Sequence, residues 1–219
     1  MLNIALVDDH TLFRRSLSLL IRPFRGMKVV LEAENGEDFL EQLKEKMVDI
    51  VLLDIQMPKL DGFQTCKILH ERYPNIKILI VSQLTTRECI HKVMELGAHG
   101  YFPKNADPEE LETAIRSLED KGFYYGQKLS EVMREALIWE KQHPPEQDFK
   151  GISLSEREVE IVKMVCREMN SGEIAELLCI NRRTVEGHRT HIMQKTRSKN
   201  FIGVILFALR NHYFEIQDL

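Results

Sequence analysis

IALVDDH, residues 4–10, is an apolar run that stops abruptly in two adjacent carboxylates, Asp8 and Asp9. IVLLD, residues 50–54, repeats the form, with Asp54 closing the run. Short apolar runs without polar alternation suit strands buried on both faces, the habit of a parallel sheet. Carboxylates gathered at the ends of such strands repel one another and are costly unless a cation lies between them.

Outward from these two stretches, residues 1–120 alternate strand and helix signals. Strands are predicted over 4–7, 29–31, 50–53, 76–81 and 101–102. Between the first two, Phe13, Leu17, Leu20 and Ile21 recur at i, i+4, i+7 and i+8, one face of a helix. Phe39, Leu40 and Leu43 mark the next helix. A third covers 62–72 and halts before Pro74. A fourth covers 86–96 and ends at Gly97. Asp107 and Pro108 open the last, as N-cap and first helical residue. Five βα units predict an α/β fold: a doubly wound, five-stranded parallel sheet of the flavodoxin-like kind, with right-handed crossovers.

Residues 121–150 read as a partly helical linker. A helix is predicted over 129–139, and KQHPPEQDFKG (141–151) cannot continue it. Residues 151–219 are purely helical in pattern. Ser155 and Glu158 form a capping box, and Val159, Val162, Met164 and Val165 supply an apolar face. A short helix over 173–178, the turn Cys179-Ile180-Asn181 and a helix over 182–196 make a small all-α helix-turn-helix domain, closed by a helix over 201–211.

Composition is that of a folded chain of 219 residues, 43% hydrophobic and 29% charged, long enough for two small domains. No run of eighteen apolar residues exists, and the N-terminus lacks the signature of a signal peptide, so a cytoplasmic protein without membrane association is expected. The scattered Cys66, Cys89, Cys166 and Cys179 fit reduced thiols. Residues 1–120 hold 15 Lys/Arg against 20 Asp/Glu. Residues 182–199 hold six basic residues and one acid. The two halves are therefore expected to meet different partners.

In a parallel sheet, ligands bind beyond the carboxyl ends of the strands. Asp8, Asp9, Asp54, Ser82 and Lys104 are all predicted there. Hard oxygen ligands suit Mg²⁺, which would lie against Asp8, Asp9 and Asp54 and cancel their repulsion. Lys104 and Ser82 beside it would cradle phosphoryl oxygens. Asp54 is then a candidate nucleophile that becomes an acyl phosphate.

VDDH, LLDIQMPKLDG, VSQ and YFPKN together resemble the receiver domain of bacterial two-component response regulators, in order and across residues 1–120. The resemblance implies that Asp54 takes phosphate from a sensor histidine kinase. It implies that Asp8 or Asp9, Asp54 and the backbone carbonyl of Gln56 hold Mg²⁺, that Pro58 and Gly62 belong to the loop after the phosphorylation site, and that Ser82 and Tyr101 form the switch pair. Two departures stand out. Pro103 precedes Lys104, where the family has proline after the lysine. Gln83 follows the switch hydroxyl, where a small residue is usual.

LSEREVEIVKMVCREMNSGEIAELLCINRRTVEGHRTHIMQK is similar to DNA-binding domains of the LuxR/NarL type, which places a helix in the major groove of double-stranded DNA. Phosphate contacts are expected from Arg182, Arg183, Thr184, Arg189, Lys195 and Lys199, with His188 packed or facing phosphate. Glu186 stands where the family commonly has lysine. It is read as an acceptor for cytosine N4, facing base edges with Arg189 and Thr190 flanking it, and Gly187 is the next base-facing position. Ile202, Ile205, Leu206 and Leu209 on the last helix match a helix that relatives use to dimerise. They are read as a homodimer interface or as closure of the small core.

The chain is therefore read as a response regulator and transcription factor, not an enzyme, with RNA polymerase as a further partner. An aspartate-nucleophile phosphohydrolase would need a second acid two residues after Asp54, and Gln56 cannot serve. A regulator that uses the receiver fold without phosphorylation is the alternative, and the complete set of pocket residues speaks against it.

Overall fold

The computed structural model describes residues 1–124, 126 and 152–213. The predicted helix over 129–139 and the Pro144-Pro145 linker lie outside the described residues. The chain divides into two compact units, Met1–Leu129 and Ser130–Leu219.

The first unit holds β1 (Leu2–Val7), α1 (Thr11–Ile21), β2 (Met27–Ala33), α2 (Gly36–Gln42), β3 (Ile50–Leu53), α3 (Gly62–Arg72), β4 (Lys77–Ser82), α4 (Arg87–Glu95), β5 (Gly100–Pro103) and α5 (Glu109–Lys121). The five strands are parallel, in the order β2-β1-β3-β4-β5. The order reverses between β1 and β3, the switch point at which such sheets open a crevice. β3 is buried along its whole length, as its unbroken Ile-Val-Leu-Leu requires. Ile4, Leu6, Ile50, Leu52, Leu79, Val81 and Phe102 form a core with Leu17 and Ile21 of α1 and Leu111, Ile115 and Leu118 of α5.

The strands over 29–31 and 101–102 prove longer than expected, because pairing with a neighbour extends a strand past its apolar stretch. β2 is in register with β1 from Leu2↔Met27 to Val7↔Ala33, with an irregularity after Ile4. Asp107 accepts from the Glu109 N–H at 3.0 Å, but α5 begins one residue later than expected, with Pro108 as its N-cap and Glu109 as its first residue. The first unit also reaches past residue 120. Gly122, in the left-handed region at φ 84°, ends α5, and Tyr124 bridges to Gly100 beside β5.

The second unit holds α6 (Glu156–Cys166), α7 (Ser171–Leu177), α8 (Arg182–Lys195) and α9 (Phe201–Arg210). The expected capping box forms on α6: Ser155 N–H donates to Glu158 Oε2 at 2.7 Å and the Glu158 N–H donates to Ser155 Oγ. α7 starts two residues before its predicted bound, because Asn170 and Glu173 make a second capping box that the sequence reading missed. Asn181 caps α8, accepting from both the N–H and the hydroxyl of Thr184. Ile161, Val162, Ile174, Val185, Ile192, Ile202 and Val204 make up the buried interior.

Candidate functional site

The sheet brings four predicted residues to one edge. Asp8 follows β1, Asp54 follows β3, Ser82 ends β4 and Lys104 follows β5. Their alignment is enforced by backbone pairing: Val7 opposes Leu53, Leu53 opposes Ile80 and Ser82 opposes Pro103. The Asp54 N–H donates to the Val7 carbonyl and the Lys104 N–H to the Ser82 carbonyl.

One cation at the acidic strand ends is a side chain. Lys104 Nζ lies 2.8 Å from Asp8 Oδ2 and 2.8 Å from Asp54 Oδ2, with all three side chains at most 7% exposed. The remaining oxygens are held by backbone: Asp54 Oδ1 accepts from the Ile55 N–H at 2.7 Å and Asp8 Oδ1 from the His10 N–H at 2.9 Å. Burial pushes the Asp8 carboxyl above its ordinary range, against the pull of Lys104 and the His10 N–H. Burial also works against the Lys104 ammonium, but its hydrogen bonds to Asp54 and Asp8 prevail and hold its pKa above the usual lysine value.

Two residues that the sequence reading counted only as helix or left unnamed also serve the pocket. The ring of Phe13 faces the Lys104 ammonium, 4.8 Å from its centroid. The Arg14 guanidinium donates to the backbone carbonyl of Asp8 and approaches Glu32 at 3.7 Å. Their position in the first turn after Asp8-Asp9 is the signal that was available.

Asp9 stands on the exposed rim. Among the described residues, the ligand atoms of Asp8, Asp9 and His10 lie within 4.8 Å of one another, and Asp54 does not join that set. His10, which the sequence reading passed over, has Nδ1 3.3 Å from Asp9 and 3.9 Å from Asp8. Carboxylate oxygens beside an open rim form the acidic pocket that a hard divalent cation fits. Gln56 and Gln83 are exposed at this edge.

The proposed switch residues are both interior, Ser82 and Tyr101 each 1% exposed. The Tyr101 hydroxyl donates to the Leu84 carbonyl at 2.5 Å and lies 3.3 Å from the Ser82 carbonyl, while Ser82 Oγ accepts from the Leu84 N–H. Burial pushes the phenol pKa up, so it remains a donor at any working pH.

In the second unit α8 has two faces. Arg182, Arg183, Thr184, Glu186, Gly187 and Thr190 are exposed, as is Lys199 beyond the helix, and His188 is half-buried. A Cβ added at Gly187 would meet nothing within 4 Å, so the domain's own packing does not call for glycine there. The Thr184 hydroxyl is engaged with Asn181.

Three site expectations need correction. Arg189 is not on the outer face: it is 6% exposed, donates to Ser171 Oγ at 2.9 Å and stacks 4.7 Å from the Phe201 ring centroid. It falls four residues after Val185 and three before Ile192, so it shares their inward stripe. Lys195 is turned to the domain's own carboxylate, 2.8 Å from Glu158 Oε2, with His191 3.5 Å from the other oxygen. Burial opposes the Glu158 charge, yet Lys195 and Ser155 hold its pKa below the usual carboxylate value. Ile202, Ile205 and Leu209 are buried at 0%, 3% and 7% and close the domain's core, leaving only Leu206 of the expected dimer set partly exposed. A four-helix unit of this size has no apolar residues to spare.

Residues 4–116 match the family described as the response regulator receiver domain, and residues 152–208 match the bacterial regulatory proteins of the luxR family. The chain belongs to the bacterial two-component response regulators of the NarL/FixJ type, transcription regulators built of a receiver and a LuxR-type helix-turn-helix. It is 31% identical over 211 residues to the response regulator UvrY of Escherichia coli K12, covering 96% of this chain and 95% of that one. It is 31% identical over 212 residues to the response regulator GacA of Pseudomonas aeruginosa, covering 96% and 97%. A solved structure of two RcsB dimers bound to two parallel DNAs shares the fold at TM-score 0.57 and 20% identity, covering 95% of this chain and 98% of that one. No helix among the described residues is long and apolar enough to cross a membrane.

Proposed function

We propose that Asp54 is the phosphoacceptor of this regulator and that its phosphorylation by a sensor histidine kinase switches DNA binding by the α8 surface. The observation that carries this reading is the placement of Asp54. It is buried at the end of the central strand, with one oxygen on a backbone N–H and the other on Lys104, beside buried Asp8 and the exposed rim of Asp9 and His10. An Asp54 oxygen attacks the phosphorus of a phosphohistidine, the P–N bond breaks, and its electron pair stays on the imidazole, which takes up a proton. Lys104 then faces the new phosphoryl oxygens, and Ser82 and Tyr101 answer at the adjoining strand ends. Mg²⁺, held by Asp8, Asp9, Asp54 and the Gln56 carbonyl, would shield the negative charges that meet in this step.

In the same reading Arg182, Arg183, Thr184, Gly187, His188, Thr190 and Lys199 meet DNA, and Glu186 reads a base. The receiver covers 1–120 and the ordered turn through Tyr124 that bridges to Gly100, and the DNA-binding domain covers 151–219. The protein works in the cytoplasm as a regulator without an enzyme's substrate, with RNA polymerase as a further partner. Two copies on one duplex would set two α8 helices about one DNA turn apart. The buried Ile202, Ile205 and Leu209 are not part of that contact.

The test is labelling of the full chain by a small phosphodonor with Mg²⁺. Wild type should label and Asp54→Asn should not. Full labelling of Asp54→Asn would overturn the assignment, and no Mg²⁺-dependent labelling of wild type would favour the regulator that works without phosphate.

A further inference from the structure

We infer that Arg189 is a positioning residue for DNA reading: it locks the pose of α8 against α7 and α9 and does not touch the nucleic acid. The inference rests on the proposal that the exposed face of α8 meets DNA.

The helix leaves few ways to fix its rotation about its own axis. Its inward stripe is Val185, Arg189 and Ile192. Val185 and Ile192 are aliphatic and make non-directional contacts, which tolerate small rotations and slides. Arg189 differs because its planar guanidinium has fixed donor directions. One donor meets the hydroxyl of Ser171, the first residue of α7, at 2.9 Å, and Ser171 is itself 0% exposed. The guanidinium carbon lies 4.7 Å from the ring centroid of Phe201, the first residue of α9, which is 3% exposed. A single side chain thus joins the starts of two other helices to the middle of α8. These contacts are directional, so they set the angle at which Arg183, Glu186, Gly187 and Thr190 are presented. Base-edge hydrogen bonds depend on that angle, whereas phosphate attraction does not.

The two kinds of contact separate in measurement. A phosphate-binding arginine contributes to the salt dependence of affinity for every duplex. A positioning arginine contributes to the preference for the right sequence and leaves the salt dependence alone. The experiment uses the full chain, a duplex selected from a random pool by the wild type, and an unrelated duplex, with binding measured at several salt concentrations. Failure of wild type to bind any duplex would overturn the DNA reading itself, separately from this inference.

Arg189→Met, which keeps the length of the side chain, is expected to lose about tenfold in affinity for the selected duplex, comparable to one base contact. Binding to the unrelated duplex and the slope of log K against log salt should stay as in wild type. Arg189→Lys, which retains one donor and a cation over the Phe201 ring, should recover part of the loss. Since Arg189→Met can fail to fold, Ser171→Ala serves as the second variant: every basic residue remains, and selectivity should still fall with an unchanged slope. A slope reduced by about 1 in Arg189→Met on both duplexes would overturn the inference in favour of a phosphate contact. Unchanged selectivity in Ser171→Ala would overturn it as well.

Discussion

Lys104 Nζ lies 2.8 Å from Asp54 Oδ2, and the same nitrogen lies 2.8 Å from Asp8 Oδ2. One buried ammonium therefore neutralises carboxylates from two neighbouring strands, and it does so from a third. Lys104→Met removes it and leaves two carboxylates buried together. Stability at neutral pH should fall by about 3 kcal/mol. The Asp8 carboxyl, already pushed up by burial, would then rise further above its unfolded value. A carboxyl raised in the fold binds more protons there than in the unfolded chain, so the deficit should shrink as pH falls from 7.5 towards 5. Urea denaturation of the first transition at both pH values measures this, and an equal deficit at the two would count against the pairing.

Gly62 opens α3 with its N–H on the Ile55 carbonyl, directly under the strand end that carries Asp54. An added Cβ would stand 2.1 Å from the Asp54 carbonyl oxygen and 2.7 Å from Ile55 Cα. Backbone cannot yield as a flexible side chain does, so Gly62→Ala must displace Asp54. The expected result is a destabilisation of about 2 kcal/mol together with a marked loss of phosphodonor labelling. Labelling at the wild-type rate would mean that the loop relaxes away from the pocket.

His99 precedes β5 with Nδ1 accepting from the Ile78 N–H at 3.1 Å. Burial, with Lys77 and His70 nearby, pulls its pKa down to about 4 from 6.5. Above pH 6.5 both folded and unfolded states are neutral here, and the residue's contribution is complete. As pH falls from about 6.5 to about 4, the unfolded chain takes up a proton that the fold refuses, and stability drops by up to about 3 kcal/mol. His99→Asn keeps an acceptor for the Ile78 N–H and should flatten this part of the stability–pH curve. The same slope in the variant would show that other groups cause it.

Gly187 lies inside α8, where glycine costs roughly 0.5–1 kcal/mol relative to alanine. The open space around it predicts that Gly187→Ala raises stability by about that amount. If the glycine serves close approach of a nucleic acid, affinity for a selected duplex should fall in the same variant. Raised stability with undiminished affinity would mean that the groove does not come near residue 187.

Glu186 is exposed on the same face. Glu186→Lys exchanges a repulsive for an attractive charge, so affinity for any duplex should rise. Discrimination of the selected site should fall by about 1–3 kcal/mol if a cytosine contact is lost. An equal rise on selected and unrelated duplexes would leave Glu186 as a solvated acid that reads no base.

Much of the pocket was legible because its parts are local and ordered along the chain. Asp8, Asp54 and Lys104 each sit at the end of an apolar stretch, and a parallel sheet must bring such ends to one edge. The direct bridge was not legible: the strand order places Lys104 at the pocket, but it reaches both acids, Asp54 across 50 residues, and no local pattern encodes that contact. Arg189 shows the opposite failure. Its heptad-like spacing from Val185 and Ile192 pointed inward, but its charge suggested the surface. Its partners Ser171 and Phe201 become visible only when three helices are assembled.

Sequence alone determined the order of strands and helices, the two-part division of the chain and the acidic strand ends, because burial periodicity and capping residues act over a few residues at a time. Tertiary structure alone decided which basic residues are free to face a partner. Arg182, Arg183 and Lys199 stay outside, while Lys195 is drawn to Glu158 and Arg189 to Ser171 and Phe201. The same packing decided that Ile202, Ile205 and Leu209 close a core instead of meeting a second copy. A long charged side chain can satisfy its head group in water or across a domain, and which it does depends on distances between elements that the chain order leaves open.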